Sequence, residues 1–183
     1  MSPLSEPAQA ELLRLARLCL EDLILRREEQ LHRTELAELR EARGTFVTLH
    51  SEGKLRGCIG VPMAAGPLFE LVQKCAVSAA TSDPRFPPVT KEELGGLSIE
   101  ISVLSNLELV SGPEDFEIGV HGLLVSLEGR RGLLLPQVAV EHEWDKPTFL
   151  AQVCRKAGLP LSAWKRGARI ERFSAQVFRE RSS

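Results

Sequence analysis

The sequence predicts an α+β fold, an antiparallel sheet with packed helices. Three observations carry that class. Segments near residues 6–25, 67–81 and 145–158 repeat apolar residues at helical spacing, whereas "GTFVTLH", "KLRGCIGV" and "LSIEISVLS" alternate at strand spacing. Short glycine-bearing links such as "SEG" and "EGRRG" join alternating segments as hairpins. Helices and hairpins are also segregated rather than strictly alternating, which disfavours a parallel sheet. At 183 residues the chain fits one domain, 1–183, with room for a smaller subdomain and a genuine core.

Taken in order, Ser5 and Pro7 suit a helix start, and Leu12, Leu15, Ala16, Cys19 and Leu23 form its stripe. That helix is expected to end near the RREEQ run at residues 26–30, with residues 31–43 either a short helix or a connecting arm. In the first hairpin a three-residue loop ending in Gly53 pairs His50 with Lys54, Thr48 with Arg56 and Phe46 with Cys58. Val47, Leu49, Leu55, Ile59 and Val61 then face the core, and Lys54, Arg56 and Cys58 share the other face with Thr48 and His50. Pro67 opens the next helix, whose stripe is Leu68, Leu71, Val72, Cys75 and Ala79. It stops at "SDPRFPPV", where closely spaced prolines forbid continuation. Leu97, Ile99, Ile101 and Val103 point inward from the following strand, with Glu100 and Ser102 outward. A second hairpin turns through "EGRRG"; Asp145, Pro147 and Gly158 bracket a further helix, and "ERFSAQVF" reads as a final strand.

Composition narrows the function. A formal charge of -2 and a pI near 6.1 give no global basic field for nucleic acid or an anionic membrane. Aromatics at 5%, with no tyrosine, are thin for base stacking. The N-terminal apolar run is broken by acids and arginines, unlike a signal peptide, and no stretch approaches a membrane span. Four scattered cysteines without a C-x-x-C pair suggest free thiols, and the expected location is cytoplasmic. No G-x-G-x-x-G or P-loop appears, and no His–Cys spacing resembles a structural zinc site, so neither metal nor cofactor is expected. "EHEWD" gathers Glu141, His142, Glu143 and Asp145, but proximity in sequence is not coordination geometry. Six basic residues between Arg155 and Arg172, against Glu171, form a patch that suits either an anionic partner or a solvated face.

Cys19, Cys75 and Cys154 lie on apolar helical stripes, where cysteine serves as a small buried hydrophobe. Cys58 differs, because Arg56 and Lys54 are expected on its face, and a nearby cation favours a thiolate. Gly57 and Gly60 leave room for a ligand or for another backbone. Cys58 therefore reads either as a nucleophile in an open slot or as filler beside Phe46. Asp83 and Arg85 sit in a proline-framed loop, which serves either recognition of a carboxylate or phosphate, or anchoring together with Phe86. The stiffness of that loop predicts that both residues lie near the "LRGCIG" strand.

"LRGCIG" at Leu55–Gly60, followed in order by "DPRFPPV", "IEISVLS", "GLLLPQVA" and "CRKAGL", resembles the AMMECR-domain family over roughly residues 8–180. Its microbial members are called AmmeMemoRadiSam system protein A. The resemblance implies an α+β fold of a larger and a smaller lobe. It also implies genomic association with a Memo-type protein and a radical-SAM enzyme, both candidate partners. The expectation that follows is an enzyme acting on a small metabolite or modified group. Cys58 would be nucleophile or thiol ligand, Arg56 its electrostatic support, and Glu100 or His50 the proton carrier. Lys54, Gly57, Gly60, Asp83 and Arg85 complete the expected ligand-binding set. The alternative is a non-catalytic adaptor or regulator that docks a protein or acidic ligand on its Arg56/Arg85 surface.

Overall fold

The computed structural model describes residues 3–25, 31–63 and 65–180, so the RREEQ run lies outside the described residues. Two compact units appear: a larger one, formed by the chain up to Val103 and from Gln176 onward, and a smaller one, Leu104–Ala175. The fold is α+β.

The larger unit holds helix α1 (Glu6–Ile24), strands β1 (Thr45–Ser51) and β2 (Lys54–Val61), helix α2 (Leu68–Thr81) and all but the last residue of strand β3 (Leu97–Leu104). Ser5 caps α1 by accepting the Ala8 N–H, which satisfies one of the donors left open in a first helical turn. The strand order is β2-β1-β3, antiparallel throughout. Leu12, Ala16 and Leu20 of α1 and Leu68, Val72, Cys75 and Ala79 of α2 pack with Val47, Leu49, Ile99 and Ile101 of the sheet. Each fully buried leucine there contributes about 1.5–3 kcal/mol. The arm over 31–43 contains one 3₁₀ turn, Ala37–Arg40, which buries Leu39.

The smaller unit holds β4 (Glu108–Val110), β5 (His121–Leu127), β6 (Arg130–Leu134), α3 (Pro136–Glu141), α4 (Lys146–Lys156) and the first part of β7 (Arg169–Arg179). β5 and β4 both pair with β7, and β6 pairs with β5. Asp145 caps α4 by accepting Thr148 N–H at 2.8 Å, and Gly158 (φ 68°) closes its C-terminal end. The core gathers Phe149, Leu150, Val153 and Cys154 against Leu123, Val125 and Ile170.

Three sequence expectations change. The first hairpin turns on two residues, Glu52 and Gly53, both with positive φ (51° and 74°), so Ser51 rather than His50 pairs with Lys54. The register then slips: His50 opposes Leu55 but Leu49 opposes Gly57, which leaves Arg56 as the extra residue of a β-bulge. Leu55, expected inside, is 41% exposed as a consequence. The second hairpin likewise turns on Glu128 and Gly129 alone, and Arg130 and Arg131 belong to β6. Finally, "PQVAVE" forms the short helix α3, started by Pro136, and β4 is an additional three-residue strand.

Candidate functional site

Cys58 is half-buried on β2, the edge strand of the larger unit's sheet. The slipped register sets Thr48 opposite Cys58 and, through the β1–β3 ladder, Glu100 opposite Thr48. Cys58, Thr48 and Glu100 thus form one row across three strands on the face away from Val47, Leu49 and Ile99. Thr48 Oγ1 donates to Cys58 Sγ at 3.3 Å. Glu100 lies two strand spacings, roughly 10 Å, from the cysteine backbone. His50 stands further along that face, opposite Leu55 and Ser98, and exposed Lys54 sits at the turn opposite Ser51.

Because β2 is an edge strand, the Cys58 N–H points away from β1 and needs another acceptor. Asp83 supplies it: Oδ2 accepts Cys58 N–H at 2.8 Å. The same carboxylate accepts from Arg85 Nε at 2.9 Å, Arg85 Nη2 at 2.7 Å and the Arg85 backbone N–H at 3.1 Å. These donors, the Arg85 guanidinium foremost, hold the Asp83 carboxyl well below the usual carboxylate range, although burial works the other way. Asp83 and Arg85 therefore lie directly beside the LRGCIG strand. Arg56 follows a different course. The bulge turns it to Glu93, with bonds of 2.6 and 3.0 Å, and that pairing pulls Glu93 down to about 2. The Arg56 and Arg85 guanidinium carbons lie 5.9 and 5.5 Å from the Phe86 ring centroid.

Not every predicted residue gathers at the cysteine. Thr48, Asp83 and Arg85 do; Arg56 is engaged by Glu93, so the cation beside Cys58 is Arg85. The two glycine gaps are filled by protein. A Cβ at Gly57 would lie 2.2 Å from Ala79 O, and one at Gly60 would lie 2.2 Å from the Phe46 ring. Those glycines admit α2 and an aromatic ring, not a ligand. Sequence reading missed Glu93, for which no spacing rule points to Arg56. It did place Thr48 on the cysteine's face but opposite the wrong residue. Elsewhere, His142 stacks on Trp144 at 4.7 Å and Asp145 is spent as a helix cap, while Arg169 and Arg172 pair with Glu171 and Glu108.

Comparison with known proteins settles the kinship. The AMMECR1 family model matches residues 13–178. The chain belongs to the AMMECR1 family. Protein MJ0810 of Methanocaldococcus jannaschii is 48% identical over 149 residues, 76% of this chain and 74% of its own. A protein of Methanothermobacter thermautotrophicus is 43% identical over 98% of this chain and 97% of its own. The crystal structure of the uncharacterized protein PH0010 from Pyrococcus horikoshii superposes with a TM-score of 0.85 at 41% identity, covering 93% and 90% of the two chains. The AMMECR1 match includes every residue of the Cys58 site, from Thr48 to Glu100.

Three of the larger unit's cavities are lined without Cys58. One of them, about 950 Å³, lies by the β1–β2 turn between Arg17, Gly53, Lys91, Ser98 and Glu180. Among the described residues no helix is long and apolar enough to cross a membrane.

Proposed function

We propose that this AMMECR1-family protein is an enzyme that acts on a small metabolite or modified group through the Cys58 thiol. The pathway it serves is shared with a Memo-type protein and a radical-SAM enzyme, a context that rests on the resemblance of the "LRGCIG" set alone, while the scattered free thiols support a cytoplasmic location. One observation supports the chemical reading: a half-buried thiol receives a hydroxyl hydrogen bond from Thr48 while its own backbone N–H is tied to the Asp83–Arg85 pair. That hydrogen bond holds the sulfur in one orientation on a half-buried edge strand, which positions it as a nucleophile. Cys75 and Cys154 are buried instead, which pushes the Cys75 thiol up to about 11 and raises Cys154 as well. Mass-spectrometric labelling with iodoacetamide between pH 6 and 9 should therefore modify Cys58 before Cys75 and Cys154. Equal rates would remove the nucleophile reading.

An adaptor is the second reading, favoured by the filled gaps at Gly57 and Gly60. Restoring a deletion strain with the Cys58→Ser protein separates the two. An enzyme variant leaves the strain's altered metabolite profile in place, whereas an adaptor variant returns it to normal.

A further inference from the structure

We infer that the ligand met by Cys58 carries an oxyanion, a carboxylate or phosphate, which Arg85 takes up beside the thiol. The inference rests on the Cys58 reading above and adds the chemical class of what binds there. Arg85 is one carboxylate away from Cys58: Asp83 Oδ2 joins the Cys58 N–H and Arg85 Nη2 in two hydrogen bonds of 2.8 and 2.7 Å. Asp83 is only 4% exposed, and the Arg85 side chain is 53% exposed. The arginine is thus gripped on one side and open on the other.

The donor inventory supports the same division. A guanidinium has five N–H donors; Asp83 takes one on Nε and one on Nη2, so the Nη1 edge keeps its fork for a planar or tetrahedral oxyanion. Phe86 beneath the guanidinium and the two bonds to Asp83 hold the group in place, so less rotamer freedom is lost on binding. Arg56, over the same ring, is unsuited to the task. It is only 13% exposed and already bidentate to Glu93. Lys54 is at the far end of the strand, beside the turn. Of these three cations, Arg85 combines a link to Cys58 through Asp83, a held position and an open edge.

Two reagents of nearly equal size test this, because iodoacetate bears a carboxylate and iodoacetamide does not. The rate ratio iodoacetate to iodoacetamide at Cys58, divided by the same ratio for glutathione, should be about 3–10 at low salt and decline with added sodium chloride. Arg85→Met should bring it to about 1, and millimolar inorganic phosphate should slow iodoacetate selectively. A normalised ratio of about 1 in the unmodified protein, or one unaltered by Arg85→Met, overturns the inference while leaving a fast iodoacetamide reaction intact. If Cys58 reacts with neither reagent, the thiol reading fails, and binding is then judged separately. For that, acetate and inorganic phosphate are each titrated into ¹⁵N-labelled Cys58→Ser protein. Shifts at Arg85 Nε–H and the position-58 amide support the oxyanion site and show which anion it prefers; no shift with either anion ends it.

Discussion

Gly57 and Gly60 flank Cys58, and what lies over each of them decides how a methyl group there would be received. At Gly57 the nearest atom is a helix carbonyl, Ala79 O, which cannot move aside without shifting α2. At Gly60 the obstacles are the Phe46 ring and the Thr45 carbonyl at 2.5 Å. Gly57→Ala should cost about 2–3 kcal/mol, the upper part of the range for overpacking, seen as a lower urea midpoint with an unchanged slope. A loss below about 0.5 kcal/mol would mean that α2 does not lie so close. Single residues also mark how far the site could be read. Cys58 stood out because its strand lacks the helical stripe that hides Cys75 and Cys154. Asp83 and Arg85 stood out because prolines frame them. The partner of Arg56 was not legible, since a bulge leaves no trace in an alternating pattern and Glu93 is 37 residues away.

Among the elements, helices were read best and hairpin registers worst. Ser5, Pro67, Asp145 and Gly158 punctuate helices by local chemistry that sequence displays. A turn's length depends on whether a residue such as Glu52 accepts positive φ, which its identity does not announce. One residue of error in the turn moved every cross-strand pair, and the bulge at Arg56 then returned Ile59 and Val61 to the core face. The two hairpins share the device, a glutamate followed by glycine: Glu52 and Gly53 at 51° and 74°, Glu128 and Gly129 at 48° and 80°. Asparagine tolerates the left-handed region better than glutamate. Glu52→Asn and Glu128→Asn should each stabilise by about 0.5–1 kcal/mol, raising Tm by roughly 1–4 °C in calorimetry. A lowered Tm in both would contradict two-residue turns of this type.

Acid and alkali should destabilise the whole molecule through different, nameable groups. Asp83 and Glu93 are held below the ordinary carboxylate range, Glu93 at about 2, chiefly by hydrogen bonds from Arg85 and Arg56. As pH falls from about 5 to 2, the unfolded chain takes up protons at these positions that the folded chain refuses, so stability drops. For Glu93, whose side chain is 30% exposed, the loss is on the order of 1–2 kcal/mol once solvent screening is allowed for. Glu93→Gln should lower stability at pH 6 and flatten the acid arm; a variant as steep as the parent would sever the link to Arg56. On the alkaline side the sign reverses. The Cys75 thiol ionises near 11 when folded but near 8.5 when unfolded, so stability is retained below about pH 8 and lost as pH rises toward 11. The chain has no tyrosine, so no phenol titrates alongside the Cys75 thiol in this range. Cys75→Ala leaves a small cavity at a site 2% exposed and should lower stability near pH 7. Above pH 9 its deficit should shrink, because the variant has no thiol to ionise on unfolding. Urea midpoints for parent and variant at pH 7, 8, 9 and 10 decide it, and parallel curves would show that the alkaline loss lies elsewhere.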